Sequence, residues 1–225
     1  MAYNLVRRIT RFWLSLRHQW FSRRYRRLVL EEVDGVPLII LPDVFNPVLF
    51  RTGEFLARSL ATVPMDTATT VLDMGTGSGI GAVFAARRTA RVVAVDVNPE
   101  AVRCAKLNAL LNHFEDRIDV RCGDLFQPVA DDRFDFVLFN PPYYLGQPKD
   151  NLDRAWRSED VLERFAAGLG NHLTETGRAM IILSTDGEPQ AALRALESNG
   201  FTIIPFARRD FGNELLTIYS ISRRP

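Results

Sequence analysis

Val71-Leu72-Asp73-Met74-Gly75-Thr76-Gly77-Ser78-Gly79-Ile80 decides how this chain is read. An apolar run ends at an acid, three alternate glycines follow, and a helix-forming stretch continues from Ala82 to Arg87. That order is a buried parallel strand, a tight turn and a helix N-terminus, where backbone N–H groups receive a nucleotide-like cofactor. Glycine accepts positive φ and puts no Cβ in a ligand's way. Gly77 to Ala82 also fits G-x-G-x-x-A, so a dinucleotide such as NAD is one reading. Asp73, two residues before the first glycine, favours another. A carboxylate at the strand end suits a cofactor with a cationic amino-acid tail, S-adenosyl-L-methionine, and repels a pyrophosphate. Gly75, Thr76, Gly77 and Gly79 are the loop residues expected to hold it.

Working outward, 225 residues suffice for one α/β domain with a sizeable core and an appendage. The net charge of +1 hides an asymmetry. Arg7, Arg8, Arg11, Arg17, Arg23, Arg24, Arg26 and Arg27 crowd residues 1–30, which contain no acid. The remainder carries 20 basic against 27 acidic residues, a net of −7, so the body has no broad nucleic-acid footprint. Cys104 and Cys122 lack paired-cysteine spacing, which implies reduced thiols and a cytoplasmic protein. His18, His113 and His172 show no metal-ligand spacing, so no metal is expected. No apolar run approaches the ~20 residues of a membrane span, and no secretory leader opens the chain.

Residues 1–41 read as an extension and residues 42–225 as the main domain. Within the extension, Leu5, Ile9, Phe12, Trp13, Leu16 and Trp20 recur at helical spacing, with Arg7, Arg11 and His18 on another face. Three readings of that basic helix stay open: packing on the domain, contact with RNA or a partner, or lying on a membrane surface. Residues 27–41 read as a hairpin around Asp34-Gly35. The stretch from Pro42 to Pro47 is a stiff loop, and Thr52-Gly53-Glu54 opens a helix to about Leu60.

From Thr70 onward, strand and helix signals alternate. Strands are expected near 70–74, 91–96, 118–121, 134–139, 179–184, 201–206 and 215–222, and helices near 79–88, 99–112, 158–173 and 187–199. Such alternation gives a doubly wound, mostly parallel seven-stranded sheet. The last two strands have no helix between them, so the final one must run antiparallel.

The strand Val92–Val95 ends at Asp96, with Val97 beside it, where an acid can bind ribose hydroxyls in either the NAD or the methyl-donor reading. Asn98-Pro99-Glu100 then starts a helix. After the third strand, Gly123-Asp124-Leu125 puts an acid where an adenine amino group would lie, although Gly-Asp is also an ordinary turn. Phe134–Phe139 ends in Asn140-Pro141-Pro142-Tyr143 at the same edge of the sheet, where Asn140 is also expected to touch the cofactor. An amide or aromatic amino nitrogen is a poor nucleophile because its lone pair is delocalised. The Asn140 side-chain oxygen and the Pro141 carbonyl can accept both N–H hydrogens and turn that lone pair toward a methyl group. Two prolines hold the acceptors rigid, and Tyr143 offers a flat wall. Further on, Tyr144, Trp156-Arg157 and Ser158-Glu159-Asp160 read either as a substrate pocket or as a loop and helix cap. Gly212-Asn213-Glu214 reads as the turn of a terminal hairpin.

Asp73-Met-Gly-Thr-Gly-Ser-Gly, Asp96, Asp124 and Asn140-Pro-Pro-Tyr resemble the motifs of Rossmann-like S-adenosylmethionine methyltransferases. Within them, residues 40–222 are similar to the HemK-type protein-glutamine N5-methyltransferases and their N6-adenine relatives. Asp43-Val-Phe-Asn-Pro resembles the loop that helps close over the donor in that family. The resemblance implies S-adenosyl-L-methionine as cofactor, S-adenosyl-L-homocysteine as product, and a translation-associated protein or a nucleic acid as acceptor. Two departures stand out: the family's large N-terminal helical domain is absent, and three extra residues separate Pro47 from Thr52-Gly-Glu. A small-molecule amine is a further acceptor reading. A cofactor-binding scaffold without activity is the non-enzyme reading, against which the intact Asn140-Pro-Pro-Tyr argues.

Overall fold

The structure, a computed structural model, describes residues 27–150, 152–212 and 214–224. The helix expected over residues 4–21, and Asn213 of the expected turn, lie outside the described residues. The hairpin forms as expected from β1 (Val29–Val33) and β2 (Val36–Ile40). Asp34 and Gly35 both take positive φ, 49° and 74°, which is what a two-residue turn matching the strand twist needs. Its buried side chains, Val33, Val36, Leu38 and Ile40, join the same core as the main sheet.

Two short helices follow, α1 (Pro47–Phe50) and α2 (Thr52–Ser59), separated by Arg51 at φ 62°. The sequence pattern suggests only a loop before Thr52. Instead the Asn46 Oδ1 accepts from the amides of Val48 and Leu49 and caps a single turn of helix. The three extra residues therefore make a helical turn whose left-handed end redirects the chain.

The main sheet comprises β3 (Thr70–Met74), β4 (Arg91–Asp96), β5 (Ile118–Cys122), β6 (Phe134–Phe139), β9 (Leu173–Ser184), β10 (Phe201–Asp210) and β11 (Leu215–Arg223). Its spatial order is β10-β11-β9-β6-β3-β4-β5. β11 is inserted antiparallel between β9 and β10, while β3 pairs in parallel with β4 and β6 on its two sides. β9 begins earlier than its apolar run because Leu173 pairs with Phe134 across a register shift. A small parallel pair unforeseen from the sequence, β7 (Tyr144–Leu145) with β8 (Arg157–Ser158), closes the intervening loop.

Alternate residues of each strand feed two cores, as a pleated sheet covered on both faces requires. Val71, Val92, Phe136 and Ile182 face the side of β1, β2, α2, α3 (Ile80–Ala86) and α4 (Pro99–Leu111). Leu72, Val93, Val137 and Ile181 face α5 (Val161–His172) and α6 (Pro189–Ser198), through Phe165, Leu169 and Leu196. Asn108 on α4, fully buried, locks the hairpin to the glycine loop. Its Oδ1 accepts the Ile39 amide at 2.7 Å, and its Nδ2 donates to the carbonyls of Ile39 and Ser78. Cys104 is buried and Cys122 exposed, both as free thiols. No helix among the described residues is long and apolar enough to cross a membrane.

Candidate active site

The carboxyl ends of β3, β4 and β6 open into a cavity of about 180 Å³. Chain order reverses around β3, and crevices at such reversals are where doubly wound sheets bind ligands. The glycine loop forms the near wall. Gly75, Gly77 and Gly79 all take positive φ, 63°, 55° and 84°, which glycine reaches without strain. The Thr76 amide donates to the Val95 carbonyl at 3.0 Å, tying the turn to β4.

Two acids stand at adjacent strand ends. Asp73 is buried, and its Oδ2 accepts from the Thr76 hydroxyl at 2.6 Å and from the Ala82 amide at 2.8 Å. Its Oδ1 accepts no bond among the described residues. A Cβ on Gly81 would come within 2.6 Å of that Oδ1, so the carboxylate seats only because position 81 is glycine. Burial, reinforced by the charge of Asp96, pushes the Asp73 carboxyl up to about 6. Asp96 accepts from the amides of Gly77 at 2.8 Å and Asn98 at 2.9 Å. Burial raises its carboxyl above the usual range too, with the amide bonds opposing.

Asn98 caps α4 through Glu100 N and donates to the Asp43 carbonyl at 3.0 Å, bringing the Pro42–Pro47 loop onto the cavity. On the far wall Asp124 pairs with Arg164 of α5 at 2.5 Å. At the end of β6, the Asn140 amide sits between two hydroxyls. Its Nδ2 donates to Thr52 Oγ1 at 3.2 Å, and its Oδ1 accepts from the Tyr143 hydroxyl at 2.8 Å. Burial holds the Tyr143 phenol well above its ordinary range, so it stays a neutral donor. Phe45 stacks on Phe50 at 4.7 Å and meets Trp156 edge-on at 5.7 Å, joining the loop before α1 to the segment before β8.

Of the residues expected at the site, Asp73, Gly75, Thr76, Gly77, Asp96, Val97, Asp124, Leu125, Asn140 and Pro142 line the cavity. Gly79, Pro141 and Tyr143 are not among the lining residues. A Cβ at Gly79 would meet the Ala105 backbone at 2.9 Å, so this glycine lets α4 pack closely. Tyr143 is drawn behind Asn140 by its hydroxyl bond, where the sequence suggested a wall against the acceptor. Thr52, read only as a helix start, holds Asn140 from 88 residues away. Arg164, also on the wall, carried no local signal either, whereas Phe45 lies in the Asp43–Pro47 stretch whose resemblance placed it near the donor. Among the described residues, no three His, Cys, Asp or Glu side chains gather as metal ligands do.

A ligand fitted to this cavity must suit two acids beside a glycine cradle. Asp73 favours a cation there and opposes a pyrophosphate, while Asp96 favours hydroxyl groups. The Ser78 hydroxyl is buried in the same loop without a hydrogen-bond partner. Residues 39–202 match the model of the methyltransferase small domain. The chain belongs to that family, and it is a methyltransferase.

Among its relatives, a Methanocaldococcus jannaschii protein provisionally named as a protein N5-glutamine methyltransferase is 31% identical, over 79% of this chain and 90% of that protein. The tRNA1(Val) (adenine(37)-N6)-methyltransferase of Porphyromonas gingivalis is 32% identical, over 51% of this chain and 49% of its own length. Among solved structures, the Thermus thermophilus 16S rRNA N2 G1207 methyltransferase, in complex with AdoMet and guanosine, superposes with a TM-score of 0.64. It is 19% identical, over 88% of this chain and 50% of that one, a likeness of fold.

Proposed function

We propose that the chain transfers a methyl group from S-adenosyl-L-methionine to a planar nitrogen, the side-chain amide of a protein glutamine. The observation that carries this is the Asn140 amide, held by Thr52 and Tyr143 at the strand end beside the glycine loop. When bound, the donor supplies an electrophilic methyl on a sulfonium. Asp73 Oδ1 receives the donor's ammonium, Asp96 and Val97 its ribose, and Asp124 and Leu125 its adenine. Gly75, Thr76 and Gly77 make room for its backbone approach, and Gly79 keeps α4 in place. Asn140 Oδ1 keeps a second lone pair for one N–H of the acceptor, and the Pro141 carbonyl takes the other. Both bonds strengthen as the nitrogen's lone pair leaves conjugation, so they act in the transition state. Pro141 and Pro142 fix the backbone that aims them, and Tyr143 fixes the Asn140 side chain. The attacking nitrogen sheds its proton to solvent after the methyl has moved.

The similarity to the archaeal relative across most of its length supports glutamine. The tRNA relative supports a second reading, N6 of an adenine in RNA. The free thiols of Cys104 and Cys122 fit a cytoplasmic protein. Residues 1–41 serve as an extension of one 42–225 domain, and the arginine-rich segment supplies contacts to RNA or a protein partner. The experiment is tritiated methyl transfer into fractionated lysate. Label in protein, released as N5-methylglutamine after proteolysis, is the expected result. Label in RNA as N6-methyladenine selects the second reading. Transfer confined to small molecules, or none at all, overturns both.

A further inference from the structure

A cationic cluster that methyl transfer itself does not use lies on the rim formed by the α1–α2 junction and the end of β10. Arg51, the left-handed residue between α1 and α2, places its guanidinium 4.6 Å from the centroid of the Phe211 ring. Arg209, near the end of β10, places its own 5.0 Å from the same ring. Both arginines are exposed and form no ion pair among the described residues. Asp210 beside them turns its Oδ1 to the Gly212 amide at 2.7 Å. Phe211 is half-buried against the core, so the ring is a fixed platform.

The two guanidiniums lie within about 10 Å of each other, inside the range where unscreened like charges repel. Arginine stacked on an aromatic face keeps its planar N–H fork directed outward, the geometry that grips a phosphate bidentately. The cluster also adjoins the reacting end of the cavity, because Arg51 precedes Thr52, whose hydroxyl holds Asn140.

We infer that the Arg51–Phe211–Arg209 cluster is a docking point for the phosphodiester backbone of an RNA that accompanies the methyl acceptor. The body outside residues 1–30 has a net charge of −7, so cations left unpaired at this rim are a local exception. Eight arginines in residues 1–30, with no acid, form a second cationic stretch of the sequence. A polymer with charge at regular intervals can engage both, and two linked weak contacts reinforce each other. An acidic peptide segment would have to supply that charge from scattered side chains. The inference goes beyond the choice of acceptor: a glutamine on an RNA-bound protein and an adenine in RNA both bring phosphates to this rim.

The test is fluorescence anisotropy of the full chain with a labelled 15-nucleotide single-stranded RNA over a range of salt. Arg51→Asn, chosen because asparagine tolerates positive φ, combined with Arg209→Gln is expected to weaken binding about tenfold or more. The slope of log affinity against log salt should fall by about 1.4, two phosphates at about 0.7 each. Phe211→Leu keeps the charge but removes the platform, and a loss of about threefold is expected. Arg103→Gln, remote on α4, should change neither quantity. S-adenosylmethionine binding by each variant, measured calorimetrically, verifies that the fold is intact. RNA binding that is absent, or unchanged in the double variant, overturns the inference. Displacement of the RNA by polyglutamate at equal charge also overturns it, in favour of an acidic protein partner. Loss of methyl transfer with RNA binding retained would sink the proposed function and leave the docking point standing.

Discussion

Asn140 is the residue on which the proposed chemistry turns, and its amide is fixed by two hydroxyls from opposite directions. Removing a preorganised polar group of this kind lowers turnover roughly a hundred- to a thousandfold, about 3–4 kcal/mol. Asn140→Ala is expected to lose that much while donor affinity changes little, because the proposed donor contacts lie on other strands. Asn140→Asp keeps an acceptor oxygen and should retain part of the rate. Steady-state turnover beside calorimetric donor binding checks both; parental turnover in Asn140→Ala would reduce Asn-Pro-Pro-Tyr to a strand-ending turn. Asp73 sets a pH dependence. Its carboxyl is pushed up to about 6 from 3.8, so the folded protein favours the protonated form. This group's contribution to stability therefore falls as pH rises from about 4 to about 6. A cationic ligand needs the ionised form, so donor affinity should rise through about pH 6, by up to about tenfold per unit below it, then level off. Titrations between pH 5 and 8 check this, and Asp73→Asn should flatten the profile. The acids at strand ends were legible in the sequence because a carboxylate closing an apolar run has few structural uses. Thr52 was not, because its partner is 88 residues away and only the fold joins them.

At the scale of elements, periodicity placed the long strands and helices, since burial on both faces imposes it, but missed the first six residues of β9 and the last four of β10, where few apolar residues mark the pairing. Elements of two to four residues left no such trace. α1 exists because Asn46 caps it, with its Nδ2 on Glu31 at 2.9 Å, and β7 pairs with β8 only once their loop is closed. The hairpin's attachment is likewise tertiary. Asn108 satisfies both backbone groups of Ile39 and the Ser78 carbonyl at a fully buried position. Asn108→Leu leaves the Ile39 amide and the Ser78 carbonyl unpaired, at roughly 1–3 kcal/mol each, and the Ile39 carbonyl with only the Cys104 thiol at 3.1 Å. Relaxation recovers part of that, so a loss of about 3 kcal/mol in denaturant unfolding is expected. Because Ser78 belongs to the glycine loop, the same variant should also bind the donor more weakly. Lost stability with unchanged donor affinity would mean that the hairpin and the cofactor loop are independent.

Over the whole molecule, strand–helix alternation announced a doubly wound sheet. The lack of a helix between the last two strands announced the antiparallel β11, which lies inside the sheet between β9 and β10. That arrangement bears on which cofactor the protein takes, because both donor and dinucleotide readings fit the glycine spacing alone. What separates them is the placement of Asp73 against the glycine cradle at the centre of the sheet, since Asp96 suits a ribose in either reading. A ligand that binds the folded state alone stabilises it by about 2.7 kcal/mol at a hundred times its dissociation constant. For a domain of this length, that corresponds to a rise in melting temperature of roughly 5–10 °C. S-adenosylmethionine and S-adenosylhomocysteine should each produce such a rise. NAD should produce almost none, since its pyrophosphate would lie against the buried Asp73 carboxylate. Asp96→Ala should abolish most of the rise; it also frees the Gly77 and Asn98 amides, so each melt is referred to the ligand-free variant. Thermal melts with the three ligands decide it, and a rise with NAD alone would overturn the assignment of the cavity to a methyl donor.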